Sequence, residues 1–342
     1  MEATLNTILN GVTLSAVLIL ISLGLAIIFG LRGVINLAHG EFFMIGAYTV
    51  WATEHFGLPP FWVGLILAPL LVALIGWLIE RSYIRFLYDR PLDTLLGTWG
   101  ISIMLRELIR IIVGPEHRYA TQPITGQLEI GTFSYPLYRA AIIVFTTIVL
   151  GVVLYLFTRT DFGLKVQATI RDRQMASAVG INTSHIDQAV FAFGAGLAGL
   201  AGAVMSPVIA INPNMGLDYF AQTFLVVILG GAGRILGVLG GGATIGMTQA
   251  GLSAVLKPVV AQALVLVVTI GLIRLYPQGL FGRRRYLTTP TTRGSSNTRN
   301  TLSSIKWRDL IKYGLPLLAL AVYPLVSDGY SVGLLAKFLT YA

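Results

Sequence analysis

The stretch "GLRGVINLAHGEFFMIGAY", residues 30–48, places Arg32, Asn36, His39 and Glu41 between two long apolar runs. Polar side chains at such a position mark a solvent edge, a turn or a polar pathway through the apolar region. Asn36 and His39 can satisfy the backbone of a helix break, and Glu41 suits the first turn of the next helix. We therefore predict a helix break at the inner end of two core helices, with a direct part in a polar pathway as the alternative.

Residues for other chemistries are missing from the sequence. It contains no G-x-x-x-x-G-K-[ST] motif for ATP, no H-E-x-x-H and no G-x-S-x-G. There is no cysteine, and the four histidines are scattered without the spacing of metal ligands. The sequence therefore predicts neither an enzyme nor a metal site, and no cofactor on this chain.

A second polar stretch is the loop 159–186, which is long for a simple connection. Within it, "VQATIRDRQMASAVG" fits one amphipathic helix that ends at Gly180, with an apolar stripe that includes Met175. We predict that this helix docks in a groove of a partner protein. A helix that lies on the lipid surface is the alternative.

The elements that must position these residues are membrane helices. Of the 342 residues, 55% are hydrophobic and only 11% are charged, whereas soluble domains carry roughly a quarter charged residues. Apolar runs of about 17–25 residues recur, which is the length that spans a bilayer as a helix. The sequence predicts an all-α polytopic membrane protein of about 8–10 transmembrane helices. The spans are predicted at about 9–31, 36–53, 60–79, 94–113, 138–158, 187–210, 220–233, 236–254, 258–275 and 313–338.

Glycine interrupts one apolar region, "VVILGGAGRILGVLGGGATIG", residues 226–246. Short, glycine-broken segments in transporters indicate discontinuous helices around the translocation route. Tight packing through small residues is an equally good interpretation, and both can hold together.

The positive charge indicates the orientation. Three of the loops between spans carry arginine or lysine, whereas the loops near 54–60 and 211–219 carry neither, and cytoplasmic loops are the ones enriched in these residues. We therefore expect an N-terminus outside and a cytoplasmic segment 283–312. Eight basic residues and one acid, Asp309, lie between residues 276 and 312, and the basic ones are Arg283, Arg284, Arg285, Arg293, Arg299, Lys306, Arg308 and Lys312. Such a segment favours a membrane surface over nucleic acid.

Four stretches carry a specific family resemblance. "GLAIIFGLRGVINLAHGEFFMIGAY", "RQMASAVGINTSHIDQAVFAFGAGLAGLAG", "FLVVILGGAGRILGVLGGGATIG" and "YPQGLFG" resemble the integral-membrane permeases of the ABC importer family for branched-chain amino acids and urea. The resemblance is colinear from about residue 5 to residue 282. "PLDTLLGTWGISIMLRELIR" and "IRDRQMASAVGI" are more similar to the urea-type permease than to the leucine-type one.

The resemblance implies a set of partners and two sites. The partners are a second homologous permease subunit, two cytoplasmic ATPases that bind MgATP, a periplasmic or extracellular solute-binding protein, and membrane lipid. The segment 165–183 would couple to an ATPase, through Arg171, Asp172, Arg173, Met175, Ala178, Gly180 and Ile181. The translocation path would be lined by Asn36, His39, Glu41, Thr98, Trp99, Ser102, Gly230, Gly231 and Gly233.

We expect a permease subunit of an ATP-driven importer for urea or a similar small polar amide, in the bacterial inner membrane. Urea can be held by carbonyl, hydroxyl and amide groups without a counter-ion. The alternative solute is a branched-chain amino acid. A self-sufficient channel is a further alternative, which the loop 159–186 disfavours, and a membrane-embedded enzyme ranks third.

The extent of the resemblance divides the chain into three predicted parts. Residues 1–282 form the predicted permease domain, 283–312 a basic polar linker, and 313–342 an extra transmembrane segment. The last part resembles the opening of the partner permease, which fits a fusion of two adjacent permease genes cut short; a separately evolved tail is the alternative. We expect this appendage to be dispensable for insertion and most transport.

Overall fold

The computed structural model describes residues 2–56, 60–88, 90–130, 133–231, 233–275 and 279. Within these residues the chain forms eleven α-helices and one short hairpin, which confirms the predicted all-α polytopic fold. The helices are α1 (Glu2–Arg32), α2 (His39–His55), α3 (Pro60–Ser82), α4 (Pro91–Val113), α5 (Leu137–Arg159), α6 (Asp161–Arg171), α7 (Arg173–Ala178), α8 (Thr183–Met205), α9 (Met215–Gly230), α10 (Ile235–Ser253) and α11 (Pro258–Leu275). Strands β1 (Gln127–Ile130) and β2 (Phe133–Pro136) pair antiparallel between α4 and α5.

Nine of these helices coincide with predicted apolar spans, namely α1 to α5 and α8 to α11. Five helices of the described part, α1, α3, α5, α8 and α10, are long and apolar enough to cross a membrane by length and composition. The predicted linker 283–312 and the predicted extra segment 313–342 lie outside the described residues.

The centre of the bundle is formed by α1, α2 and α8. Every residue of α2 from His39 to Val50 is buried, so this helix lies inside the bundle and not at its surface; Phe42, Phe43 and Met44 are fully buried. Helices α3 and α5 lie outside this centre and expose large apolar side chains such as Leu70 and Val144. That arrangement suits a protein whose outer surface faces lipid rather than water.

Glycines let the central helices approach closely. A Cβ atom on Gly202 of α8 would lie 1.9 Å from the carbonyl oxygen of Phe43, and one on Gly46 would lie 2.0 Å from that of Gly199. Any side chain at Gly202 or Gly46 would therefore push α2 and α8 apart. Small residues at helix contacts are the usual basis of close packing in membranes, where apolar surface alone does not drive association.

The bundle has two ends, which we name after nearby residues. At the Asp187 end, Arg32 closes α1 and donates a hydrogen bond to Asp187 near the start of α8. At the Tyr135 end, the hydroxyl of Tyr135 lies 2.5 Å from that of Thr13 on α1. Helices α1, α3, α5, α9 and α11 run toward the Asp187 end, and α2, α4, α8 and α10 run away from it.

The connection between α1 and α2 is a re-entrant segment, residues 33–38, and here the structure corrects the predicted position. The Nε2 atom of His39, the first residue of α2, lies 3.1 Å from the carbonyl oxygen of Ile21. Ile21 precedes Arg32 by eleven residues, so it stands about 16 Å inside the end of α1. Helix α2 therefore begins within the bundle and not at its end, because Gly33 turns the chain at φ 67° and six non-helical residues run back along α1.

The predicted single helix over residues 166–180 is two helices, α6 and α7. Asp172 has an extended conformation, φ −153° and ψ 103°, and its side chain accepts a hydrogen bond from the Met175 amide at 2.9 Å. Aspartate favours such a capping position over a helix interior, which explains the break. The predicted end at Gly180 is confirmed: its φ is 87°, and the Ile181 amide donates to the Ala176 carbonyl at 3.0 Å.

The glycine-rich region forms a tight turn between the antiparallel helices α9 and α10 at the Asp187 end. Gly231 and Gly233 have φ of 94° and 74°, values that other residues adopt only with strain. A Cβ atom on Gly230 would lie 2.2 Å from the Gly237 carbonyl oxygen, and one on Gly30 would lie 2.7 Å from the Cα of Gly233. This geometry favours the interpretation of tight small-residue packing.

Candidate functional site

The structure brings four of the predicted path residues together, and we call Asn36, Glu41, Thr98 and Ser102 the Glu41 site. The Leu37 amide donates to the Thr98 hydroxyl at 3.2 Å, and the Ser102 hydroxyl donates to Oε1 of Glu41 at 2.8 Å. These contacts join the re-entrant segment and the first turn of α2 to the middle of α4. Glu41 is 1% exposed, so a carboxyl group is enclosed in the interior of a membrane bundle.

Two polar atoms of the Glu41 site have unused hydrogen-bonding capacity. Nδ2 of Asn36 and Oε2 of Glu41 are buried and have no hydrogen-bond partner among the described residues. Arg106, one turn beyond Ser102 on α4, interacts electrostatically with Glu41. Buried polar groups in proteins are normally paired, so unpaired ones in a membrane bundle indicate a functional site.

Helix α9 completes the surroundings of the Glu41 site. A Cβ atom on Gly40 would lie 2.1 Å from the carbonyl oxygen of Gly216, and one on Gly216 would lie 2.5 Å from Oε2 of Glu41. The first turns of α2 and α9 therefore meet beside the carboxyl group of Glu41. Discontinuous helices whose ends meet inside the bundle are the usual architecture of solute sites in transporters.

The other predicted path residues lie elsewhere. His39 faces α1, where its Nε2 contacts the Ile21 carbonyl, and Trp99 is 52% exposed on the outer side of α4. The glycines of the α9–α10 turn, Gly230, Gly231 and Gly233, pack near Gly30 close to the end of α1. Gly30 precedes the end of α1 by two residues, whereas His39 reaches the level of Ile21, about 14 Å farther in.

The predicted coupling residues form a compact projection at the Asp187 end. Met175 and Val179 are 62% and 70% exposed, whereas Ala176 between them is buried. Arg171, Asp172, Ala178 and Gly180 are also exposed, and Ile181 is half-buried. Helix α7 thus presents apolar side chains outward at the end of the bundle.

One of the coupling residues takes part in an ion pair that the sequence did not indicate. The guanidinium of Arg173 bonds to both oxygens of Asp187, at 3.0 and 2.5 Å, and Arg32 bonds to the same carboxyl group. Asp187 is 2% exposed. The sequence contains only a weak signal for this ion pair: Asp187 is one of only 15 acidic residues, and it lies where an apolar run begins.

Comparison with known proteins gives a consistent family. The model of the family described as "Branched-chain amino acid transport system / permease component" matches residues 7–273. The chain is 32% identical to the high-affinity branched-chain amino acid transport system permease protein LivH of Salmonella typhimurium, over 82% of this chain and 96% of the relative. It is 28% identical to BraD of Pseudomonas aeruginosa over the same shares, and 28% identical to LivM of Escherichia coli over 66% of this chain and 59% of that protein. No solved structure matches the chain.

These relatives are permease proteins and not enzymes, in line with the sequence prediction. The reported relatives are named for branched-chain amino acids, so they favour the alternative solute over urea. With most of the chain matched by the family model and a polytopic helical fold, the protein belongs to the family of branched-chain amino acid ABC transporter permease components.

Proposed function

We propose that this protein is a permease subunit of an ABC importer that carries branched-chain amino acids, and that the solute passes the Glu41 site. The observation that carries the proposal is the pair of unpaired buried atoms, Nδ2 of Asn36 on the non-helical segment inside the bundle and Oε2 of Glu41 in the first turn of α2 that follows it. Non-helical backbone at membrane depth persists where protein or a polar cavity surrounds it, as a solute path requires.

The charges near the Glu41 site support a zwitterionic solute. Glu41 offers a carboxyl group to an ammonium group, and Arg106, which interacts with it, offers a guanidinium to a carboxylate. Urea carries no charge and needs neither partner. Buried apolar residues one helical turn from Glu41 and Ser102, such as Ile45 and Leu105, suit the aliphatic part of leucine, isoleucine or valine.

The assembly that we propose contains a second permease subunit, two ATPases that bind MgATP, and an external solute-binding protein. In the bacterial inner membrane, the Asp187 end would face the cytoplasm and the N-terminus the outside. The helix ends and connections at that end carry Arg81, Arg85, Arg90, Arg159, Lys165 and Arg171, the enrichment expected on the cytoplasmic side of a membrane.

Helix α7 is the proposed docking element for an ATPase. Its exposed apolar residues Met175 and Ala178, and Val179 directly after it, stand beyond the end of the membrane helices, where a soluble partner can reach them. An amphipathic helix that inserts its apolar face into a groove is a common mode of recognition between proteins.

Solute competition in cells tests the proposed solute. We expect cells to take up labelled leucine, and this uptake should depend on this chain, on ATP and on the partner subunits. Excess isoleucine should suppress the uptake of leucine, whereas excess urea should not. The physical reason is that the Glu41 site supplies charges that only the amino acid uses. If the cells instead take up labelled urea, and excess leucine does not reduce that uptake, the protein is a urea permease.

A further inference from the structure

The ion pairs around Asp187 connect three parts of the chain, and we call Arg32, Arg173 and Asp187 the Asp187 cluster. Asp187 lies on α8, Arg173 opens α7, and Arg32 ends α1. One buried carboxyl group thus holds the proposed docking helix and the helix that leads into the re-entrant segment. Gly33, directly after Arg32, is the residue that turns the chain back toward the Glu41 site.

A second layer of contacts surrounds Arg32. Its guanidinium carbon lies 3.9 Å from the centre of the ring of Tyr88, a residue that follows α3 in the chain. Burial raises the pKa of the Tyr88 hydroxyl, and the carboxyl groups of Glu80 and Asp187 raise it further, so the ring stays neutral and stacks against the cation. Glu80 is buried near the end of α3 and interacts electrostatically with Arg32 and Asp187. Arg32 is therefore held between α3 and α8.

We infer that Asp187 is a positioning residue that couples movement of α7 to the re-entrant segment and hence to the Glu41 site. The inference rests on the proposed docking of an ATPase at α7. Because Asp187 bonds Arg173 and Arg32 with the same Oδ2 atom, a displacement of Arg173 changes the environment of Arg32 directly. Arg32 is the last residue of α1, and Gly33 and residues 34–38 follow it directly in the chain, so they receive the displacement first.

The geometry of the buried Asp187 cluster is the reason to assign it a mechanical role. A buried ion pair often adds little to stability, because removing the charges from water offsets most of their attraction. The geometry, however, is directional: the two nitrogens of Arg173 bond to the two oxygens of Asp187, which fixes the orientation of the guanidinium as well as its distance. A rigid, two-point connection transmits a displacement, whereas an exposed single contact would not.

The test measures the number of solute molecules transported per ATP hydrolysed by the complete complex in proteoliposomes. The variants are Arg173→Gln and Asp187→Asn, with Arg159→Gln as the matched control, since Arg159 is an exposed arginine at the same end of the bundle. We expect the ATPases to copurify normally with the two test variants, while transport per ATP falls about tenfold, the effect of losing a charge-assisted hydrogen bond. Arg159→Gln should leave this ratio unchanged.

The double variant separates positioning from general destabilisation. Once Asp187 is Asn, the connection is already broken, so adding Arg173→Gln should cause no further loss in transport per ATP. An unchanged ratio in Arg173→Gln, or losses that multiply in the double variant, would overturn the inference. If Asp187→Asn fails to assemble, Arg173→Gln alone decides, because Arg173 is partly exposed and its loss leaves the Arg32–Asp187 pair in place.

A separate variant tests the docking on which the inference rests. Met175→Asp places a charge on the exposed apolar face of α7 and should abolish copurification of the ATPases, since a charge in an apolar groove is strongly unfavourable. Ser184→Asp, an exposed position at the start of α8, is its control. Normal copurification with Met175→Asp would refute the docking surface itself, independently of the ratio measured for Arg173→Gln.

Discussion

At the scale of single residues, the two buried carboxyl groups of Glu41 and Asp187 differ in how they are satisfied. Both oxygens of Asp187 accept hydrogen bonds from arginine, so this group is fully paired within the chain. Glu41 receives one hydrogen bond, from Ser102, and its second oxygen has no partner among the described residues. The first pattern belongs to a connection inside the protein, and the second leaves an acceptor for a solute.

Ser102 is predicted to set the orientation of the Glu41 carboxyl group. Ser102→Ala removes the donor to Oε1, so we expect leucine uptake to fall about tenfold, the consequence of leaving a buried charged acceptor unpaired. Ser82→Ala is the control, because the Ser82 residue is exposed and, among the described residues, its hydroxyl bonds only to the Leu78 carbonyl of its own helix. Equal uptake by the two variants would contradict this role of Ser102.

At the scale of helices, the apolar runs predicted α1 to α5 and α8 to α11, because the length and polarity of a membrane helix are properties of its own residues. The re-entrant segment could not be placed in this way. Its depth depends on the contact between His39 and Ile21, which belong to different helices and carry no shared pattern. The break at Asp172 was likewise missed, because the apolar spacing continues through it and only the capping preference of aspartate opposes a single helix.

The contact between α2 and α8 gives a prediction about stability. Gly202→Ala should strongly lower the melting temperature of the detergent-purified protein, because the added methyl group would lie 1.9 Å from the Phe43 carbonyl oxygen and must separate the two helices. Gly151→Ala on α5 adds the same methyl group where, apart from the backbone of α5 itself, no atom of the described residues lies within 4 Å. We expect that control to melt at an unchanged temperature. Similar melting of the two variants would show that α2 and α8 do not pack as described.

At the scale of the whole molecule, the proposed docking surface and the proposed path lie in different parts of the bundle. The exposed residues of α7 lie at the Asp187 end, and the Glu41 site lies inside the bundle between α2, α4 and α9. The Asp187 cluster stands between them. Sequence patterns singled out the loop 159–186 and the candidate path residues, whose roles stay predictions, but the grouping of Asn36, Glu41, Thr98 and Ser102 apart from the glycine turn came only from the packing of the helices.

The orientation of the bundle can be measured directly, since the natural sequence contains no cysteine. Phe56→Cys and Val179→Cys place single thiols at residues that are 78% and 70% exposed, at opposite ends of the bundle. A membrane-impermeant maleimide should label position 56 in intact cells and position 179 only after the cells are opened, because arginine-rich loops remain in the cytoplasm. The reverse labelling would place the docking helix outside and exclude an ATPase partner there.

The central claim is that a zwitterionic amino acid passes the carboxyl group of Glu41. The most direct measurement is ATP-driven uptake of labelled leucine by proteoliposomes that contain the assembled transporter with Glu41→Gln. Glu107→Gln is the control, because Glu107 is a half-exposed carboxylate on α4 that pairs with Arg110 on the same helix. We predict that Glu41→Gln lowers leucine uptake by about tenfold or more, since a neutral amide cannot pair with the ammonium group, and that Glu107→Gln has little effect. Undiminished leucine uptake by an assembled Glu41→Gln transporter would contradict the account.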